Sequence, residues 1–344
     1  MVLWHWPVLI VAQSVFHVKG HAAGMLAVLA VSLLAATVSY HFIEKPIRFG
    51  WFAAVASGKQ ILIALLAIGG MVISMAKWLD ETGDLVFSYE SLTHAQAKGD
   101  FPVIYRMGCD THNDSSDVKT CLLGQADAPK TAVLLGDSIG VQWEPAIWNA
   151  LNDGEWKLLV HTKSACPIVD ETIYYARIGA KYEVCTEWRN KVIGELKNMH
   201  IDALFIGSAA PHPDLSEQQW QNGTQRILDQ LLPVSDAVYI IEANPVLEFD
   251  GPFCLDKNAT STDNCQNPTR NERRENVARI LHDLANTQPK VHWLATAELV
   301  CPQGTCFALR DGKIVFRDSQ HLTATYVESV ADYFREQIRE SLSK

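Results

Sequence analysis

Thr131-Ala132-Val133-Leu134-Leu135-Gly136-Asp137-Ser138-Ile139-Gly140-Val141 sets the architecture of the chain. The aliphatic run from Ala132 to Leu135, closed by a glycine, has the length and composition of a strand buried on both faces. A turn, Gly136-Asp137-Ser138-Ile139-Gly140, leads into a helical pattern from Val141. Further short apolar runs follow at 156–161, 203–207, 237–241 and 291–294. Helical periodicity fills the gaps at about 140–152, 182–199, 216–232, 269–287 and 323–341. Strands alternating with helices predict an α/β domain over 131–344 with a mostly parallel sheet covered on both faces, and no internal repeat is visible. Ligands in such folds sit at the carboxyl ends of the strands.

Ser138 occupies that position after the first strand. A serine opening a helix there is placed to act as a nucleophile, its oxyanion meeting backbone N–H groups and the positive end of the helix. A bare N-cap in a tight turn is the plainer alternative. A serine nucleophile needs an imidazole base, and the imidazole needs an acid to fix its tautomer. Phe316-Arg317-Asp318-Ser319-Gln320-His321-Leu322-Thr323 supplies both just before the final helix, Asp318 and His321 lying on one turn. Taken alone, a histidine capping a surface helix explains that turn as well.

Gly-Asp-Ser at the end of the first strand together with Asp-x-x-His before the last helix resembles the SGNH/GDSL hydrolase family, over about 130–344. The resemblance implies a three-layer SGNH-type domain with Ser138 as nucleophile, His321 as general base and Asp318 as its orienting acid, while Asp137 organises the turn. The family takes oxyanion donors from a glycine loop after the second strand and an Asn after the third. Here those segments read Thr162-Lys163-Ser164-Ala165-Cys166-Pro167 and Ile206-Gly207-Ser208-Ala209, lacking the glycine in the first and the Asn in the second. The expected donors are therefore the Ser138 amide, with Ala165 and Ser208 as further candidates. No substrate-binding residue is identifiable and no metal site is expected.

Weaker candidates for an acceptor cleft are His161, His212 and Asp214, for which ordinary structural roles are the alternative. Trp143 and Trp148 read as core rather than as a sugar platform. Arg270, Arg273 and Arg274 beside Glu272 and Glu275 read as a solvated, salt-bridged helix face.

The composition of the 344 residues is split. Residues 1–80 hold five of 29 Lys/Arg and two of 39 Asp/Glu, so 81–344 carries a net charge of −13 within a chain total of −10. That acidic excess repels phosphate backbones and argues against nucleic-acid binding. Plentiful apolar residues argue against disorder. Stretches at 2–18, 22–43 and 60–79 are long and apolar enough to span a bilayer. A cleaved signal peptide fits the first poorly, since it lacks a basic start. Lys45, Arg48 and Lys59 between the second and third spans, against Lys19 alone between the first two, place that second loop in the cytoplasm and everything after residue 80 outside. All eight cysteines lie in this outer part, as an oxidising compartment predicts, and the simplest pairing is local: 109–121, 166–185, 254–265 and 301–306. A zinc site is the competing use of these cysteines. Residues 81–130 read as an irregular connection.

Leu3-Trp4-His5-Trp6-Pro7 and, some thirty residues later, Ser39-Tyr40-His41-Phe42-Ile43-Glu44-Lys45-Pro46-Ile47-Arg48 look like the end of an acyltransferase-3 membrane domain. Without that resemblance, Trp4, His5 and Trp6 read as an interfacial aromatic belt. The resemblance divides the chain into the last acyltransferase-3-like spans (1–58), an additional span (59–80), a periplasmic extension (81–130) and an SGNH domain (131–344). This is the order found in O-antigen and other surface-glycan O-acetyltransferases, whose SGNH domains carry a Ser-Ala-Cys-Pro loop like Ser164–Pro167. It implies a bacterial inner-membrane protein whose periplasmic domain acetylates a glycan hydroxyl of lipopolysaccharide or another surface polymer. The first expected span corresponds to the penultimate one of the family, so the donor-handling spans are expected upstream or on a separate acyltransferase-3 chain. No cofactor is expected to be bound here, with acetyl-CoA as the ultimate acyl donor. A periplasmic carbohydrate esterase with the same triad, or a non-catalytic glycan-binding subunit of a membrane acyltransferase, are the alternatives.

Overall fold

The computed structural model describes residue 8, residues 22–50, short stretches between 55 and 77, and residues 94–342 apart from 112–113, 210–211, 213, 259–261 and 270. The chain divides into two units, Met1–Val86 and Phe87–Lys344.

In the first unit, the helix Ala22–Ser39 runs through a π-turn, Tyr40–Glu44, into Lys45–Phe49. Pro46 accounts for the wider turn: a proline in a regular α-helix strikes the carbonyl four residues back and has no N–H to give it. Lys45 N–H bonds instead to the carbonyl of Tyr40. Met25–Phe42 is long and apolar enough to cross a membrane. Leu26, Leu29, Leu34 and Val38 are exposed along it, while Ser32 and Thr37 return their hydroxyls to the carbonyls of Val28 and Leu33. Those two polar groups are thus satisfied within the helix, as a lipid surrounding requires. The span expected at 2–18 lies outside the described residues except for residue 8, and Trp4, His5 and Trp6 lie outside them. Within 60–79, the described positions 65–66, 68–74 and 77 are helical.

The second unit is built on six strands: β1 (Cys121–Leu123), β2 (Lys130–Gly136), β3 (Trp156–Thr162), β4 (Ile201–Gly207), β5 (Ser235–Ile241) and β6 (Val291–Leu294). Their order is β1-β3-β2-β4-β5-β6, parallel throughout except for β1, which runs antiparallel beside β3. The five parallel strands are those expected from the sequence; β1 arises in the stretch read as irregular.

Alternation along β2 divides the core. Ala132 and Leu134 face a layer with Trp143, Ile147 and Phe334, whereas Val133 and Leu135 face Trp188, Trp220 and Val277. Helices α2 (Glu144–Leu151) and α6 (Ala331–Leu342) cover the first side, and α3 (Glu183–Leu196), α4 (Glu217–Leu231) and α5 (Glu272–Asn286) the second. This is a three-layer α/β domain. Trp143 is fully buried and Trp148 packs at the edge of the first core, so both are structural.

The strand order reverses around β2, which opens a crevice between the ends of β2 and β4. Gly136 is level with Thr162 on one side and Gly207 on the other. The short helix α1 (Ser138–Val141) presses on β4 there: a Cβ on Gly140 would lie 2.1 Å from the Gly207 carbonyl oxygen. Glycine is required at that crossing because two backbones touch. The helix starts at Ser138, ahead of the expected Val141, since Asp137 caps it.

All eight cysteines form four disulfides, Cys109–Cys121, Cys166–Cys185, Cys254–Cys265 and Cys301–Cys306, which is the local pairing and leaves none for zinc.

Candidate active site

Asp137 caps α1 by accepting from Ile139 N–H (2.9 Å) and Gly140 N–H (3.2 Å) with one oxygen and from Ala209 N–H (2.7 Å) with the other. The buried carboxylate thereby fastens the turn after β2 to the loop after β4. Burial pushes its pKa up to about 6, against the pull of those three backbone donors. Both its oxygens are engaged by backbone donors, so it organises the turn.

Ser138, the first residue of α1, has its hydroxyl 2.9 Å from His321 Nε2, and His321 Nδ1 lies 2.7 Å from an Asp318 carboxylate oxygen. The second Asp318 oxygen accepts from the Gln320 and His321 N–H groups, each at 2.7 Å. Burial raises the Asp318 pKa, but the bond and charge of His321 with those two amides outweigh it and hold the carboxyl at about 2. Asp318 is therefore ionised at neutral pH, which assigns the imidazole proton to Nδ1 and leaves Nε2 free to accept from Ser138.

The loop carrying His321 is held to α1 by two buried amides. Gln142, just after α1, accepts from Leu322 N–H (2.8 Å) and donates to Asn244 Oδ1 (2.5 Å). Asn244 in turn donates to the Gln320 carbonyl (3.0 Å). Both neighbours of His321 are thus fixed relative to Ser138 through one saturated pair.

Two of the residues expected as oxyanion donors line the same cleft. The Ser138 N–H, at the free end of α1, and the Ala165 N–H have no acceptor among the described residues. Ala165 lines the same cleft and stands at φ +56°, the left-handed conformation a glycine adopts without strain. A non-glycine residue there costs about 1 kcal/mol or more, and its neighbour Cys166 is locked by a disulfide to α3. Ser208, the third candidate, is turned elsewhere: its hydroxyl accepts from Ile168 N–H at 2.8 Å, and it lines a separate apolar cavity with Trp220 and Trp293.

Ser138, Ala165 and His321 line an open cleft of about 440 Å³. Phe101, Tyr105 and Asp110 from the extension line it, as do Tyr175 and Arg177 from the ribbon Tyr174–Tyr175/Ala180–Lys181, and Arg317 and Gln320 beside the triad. The extension is therefore part of the site. Asp110 accepts from Ser164 N–H and hydroxyl, and Thr111 and Ser115 accept from Lys163 Nζ at 3.2 and 2.8 Å. Sequence reasoning missed these contributors because nothing in a connecting segment marks which strand end it will cross; Arg317, adjacent to Asp318, was the one with a positional signal.

The remaining candidates fall away from the cleft. His161 is buried on β3, its Nδ1 without a hydrogen-bond partner and its pKa driven down to about 4 by burial. His212 accepts from Asp214 N–H (3.4 Å), so both belong to a loop, and burial also lowers the His212 pKa. Arg273 braces that loop through the carbonyls of His212 and Leu215. Arg274, expected on a solvated face, is instead buried against Glu242 (3.7 Å) and the Ala243 carbonyl (3.4 Å). Arg270 lies outside the described residues. His200, Asp202 and Asp236 cluster at the opposite ends of β4 and β5, at an exposed ion pair far in the fold from Ser138.

The family model for SGNH domains fused to AT3 domains matches residues 108–336. The chain belongs to this SGNH family. The fold is thus that of SGNH hydrolases and acyltransferases. Among solved structures, the periplasmic domain of a lipopolysaccharide acetyltransferase from Salmonella ser. Paratyphi A aligns with 12% identity and a TM-score of 0.48, over 63% of this chain and 85% of its own. A putative platelet activating factor from Streptococcus pneumonia aligns with 12% identity and a TM-score of 0.40, over 77% and 99%. A mutant acetyl-xylooligosaccharide esterase from Geobacillus aligns with 12% identity and a TM-score of 0.37, over 63% and 95%. No curated protein sequence matches the chain.

Proposed function

We propose that this SGNH domain transfers an acetyl group onto a hydroxyl of a bacterial surface glycan, such as lipopolysaccharide, through an acyl-enzyme on Ser138. The observation that carries the reading is the relay from Asp318 through His321 to Ser138, with spacings of 2.7 and 2.9 Å at an open cleft. As the Ser138 oxygen attacks the acyl carbonyl, its proton passes to His321 Nε2. The oxyanion meets the Ser138 and Ala165 N–H groups, and His321 returns the proton to the leaving group. A sugar hydroxyl then gives its proton to His321 and attacks the ester, which releases the acetylated sugar and restores Ser138.

The family description, an SGNH domain fused to AT3 domains, supports an inner-membrane setting with the catalytic domain in the periplasm. The apolar helix at Met25–Phe42 and four disulfides fit it. Acetyl-CoA would be the ultimate donor, its acetyl group delivered by an acyltransferase-3 membrane part. Water can replace the sugar in the second step, and the openness of the cleft favours that carbohydrate-esterase outcome when acceptor is scarce.

The test is turnover of a chromogenic acetyl ester by the full chain in detergent, with and without surface oligosaccharide, beside Ser138→Ala. Ser138-dependent formation of acetylated sugar is the expected result. Acetate alone, whatever the acceptor, would favour the esterase. Equal inertness of the folded wild type and Ser138→Ala would leave the glycan-binding alternative.

A further inference from the structure

The cleft over Ser138 is lined by two arginines, Arg177 and Arg317, in a chain whose net charge is −10. The acidic groups nearby are committed: Asp110, which lines the cleft, to Ser164, and Asp318 to His321 and its loop amides. The cleft's two guanidinium groups are not. Neither Arg177 nor Arg317 has an acidic partner or a side-chain hydrogen bond among the described residues. Arg317 is half-buried beside Asp318 with its guanidinium 5.9 Å from the Phe101 ring centre, and its buried Nε has no acceptor at all. Desolvating a guanidinium N–H without an acceptor is costly, and the Arg317 side chain lines the cleft in which a substrate must lie. Arg177 lines the same cleft from the turn of the ribbon whose Tyr175 is stacked on Tyr182 (5.2 Å).

We propose that the acceptor is an anionic glycan, whose carboxylate or phosphate is held between Arg177 and Arg317 while a neighbouring hydroxyl is presented to Ser138. Guanidinium groups suit this task because their planar donors match the oxygens of either anion. Phe101 and Tyr175 also line the cleft and offer aromatic surface for a sugar ring. This inference rests on the reading of the Ser138 cleft as the acceptor site.

The experiment measures binding rather than turnover, with the full chain carrying Ser138→Ala in a non-ionic detergent. The probes are trigalacturonic acid, its methyl ester as the uncharged counterpart, and mannose 6-phosphate with mannose. The charged member of at least one pair is expected to bind about tenfold more tightly than its neutral partner, as a charge-assisted pair supplies, with the difference shrinking as salt is raised. Preference for the acid identifies a carboxylate, and preference for the phosphate a phosphoryl group. Arg177→Gln, an exposed position with no packing to lose, and Arg317→Gln should each erase most of the preference, while Arg317→Lys should keep part of it. Equal binding of charged and neutral partners, binding of none of the charged probes, or an unchanged preference in both Gln variants overturns the proposal. Failure of the catalytic reading would show differently, as identical ester turnover by wild type and Ser138→Ala while the binding preference stands.

Discussion

At the scale of single residues, three buried or half-buried carboxylates stand in different states, two of them at the site and one in the core. Asp318 is held at about 2, ionised, and fixes the His321 tautomer. Asp318→Asn is expected to lower kcat for the chromogenic ester by about 10³–10⁴-fold, because the amide can present its N–H to Nδ1 and stabilise the wrong tautomer; steady-state kinetics measures it. Asp137 has both oxygens occupied by backbone donors. Asn at 137 would direct an NH2 toward one of those N–H groups and is expected to cost about 1–3 kcal/mol of stability, read from denaturant midpoints. Glu144 is buried on α2 with one oxygen unpartnered, and burial pushes its pKa up to about 7 from an ordinary 4.5. The folded chain therefore binds that proton more tightly than the unfolded one, so this contribution to stability is present below 4.5 and is lost as pH rises toward 7. Glu144→Gln should accordingly raise stability relative to wild type by on the order of 2 kcal/mol near pH 8 and by little near pH 4. Denaturant titrations at both pH values check the sign.

At the scale of elements, the relay depends on how α1 and the loop that carries His321, ahead of the short helix Ala324–Glu328, are joined. Gln142 and Asn244 make that joint, and neither touches the reacting atoms. Gln142→Leu removes the acceptor of Leu322 N–H and the partner of Asn244. It is expected to lower kcat by about 10²-fold with KM little changed, as a small misplacement of the base does. That Ser138, His321 and Asp318 would come together was legible in the sequence because Gly-Asp-Ser closes a recognisable strand and Asp-x-x-His precedes a recognisable helix. The Gln142–Asn244 pair was not: residues 102 positions apart meet only once β2 and β5 share a sheet. The oxyanion loop was half legible. Its missing glycine was visible, but the adoption of a glycine-like φ by Ala165 is a property of the folded loop.

At the scale of the whole molecule, the parallel sheet could be read from apolar runs because its strands are buried on both faces. The extension could not. Its residues mix polar and aromatic side chains without period, yet they add strand β1, bind the loop after β3 and wall the cleft with Phe101 and Tyr105. Arg274 shows the same limit from the other side, since a charge-rich helix start concealed a buried arginine. The chemistry proposed for the second unit nevertheless turns on one atom, the Ser138 hydroxyl oxygen. Its most direct test is labelling of the folded full chain with a fluorophosphonate, followed by peptide mass mapping. A single adduct on Ser138, absent in Ser138→Ala and strongly slowed in His321→Ala, is the predicted result. No adduct on the folded wild type, or labelling that is indifferent to His321, would contradict it.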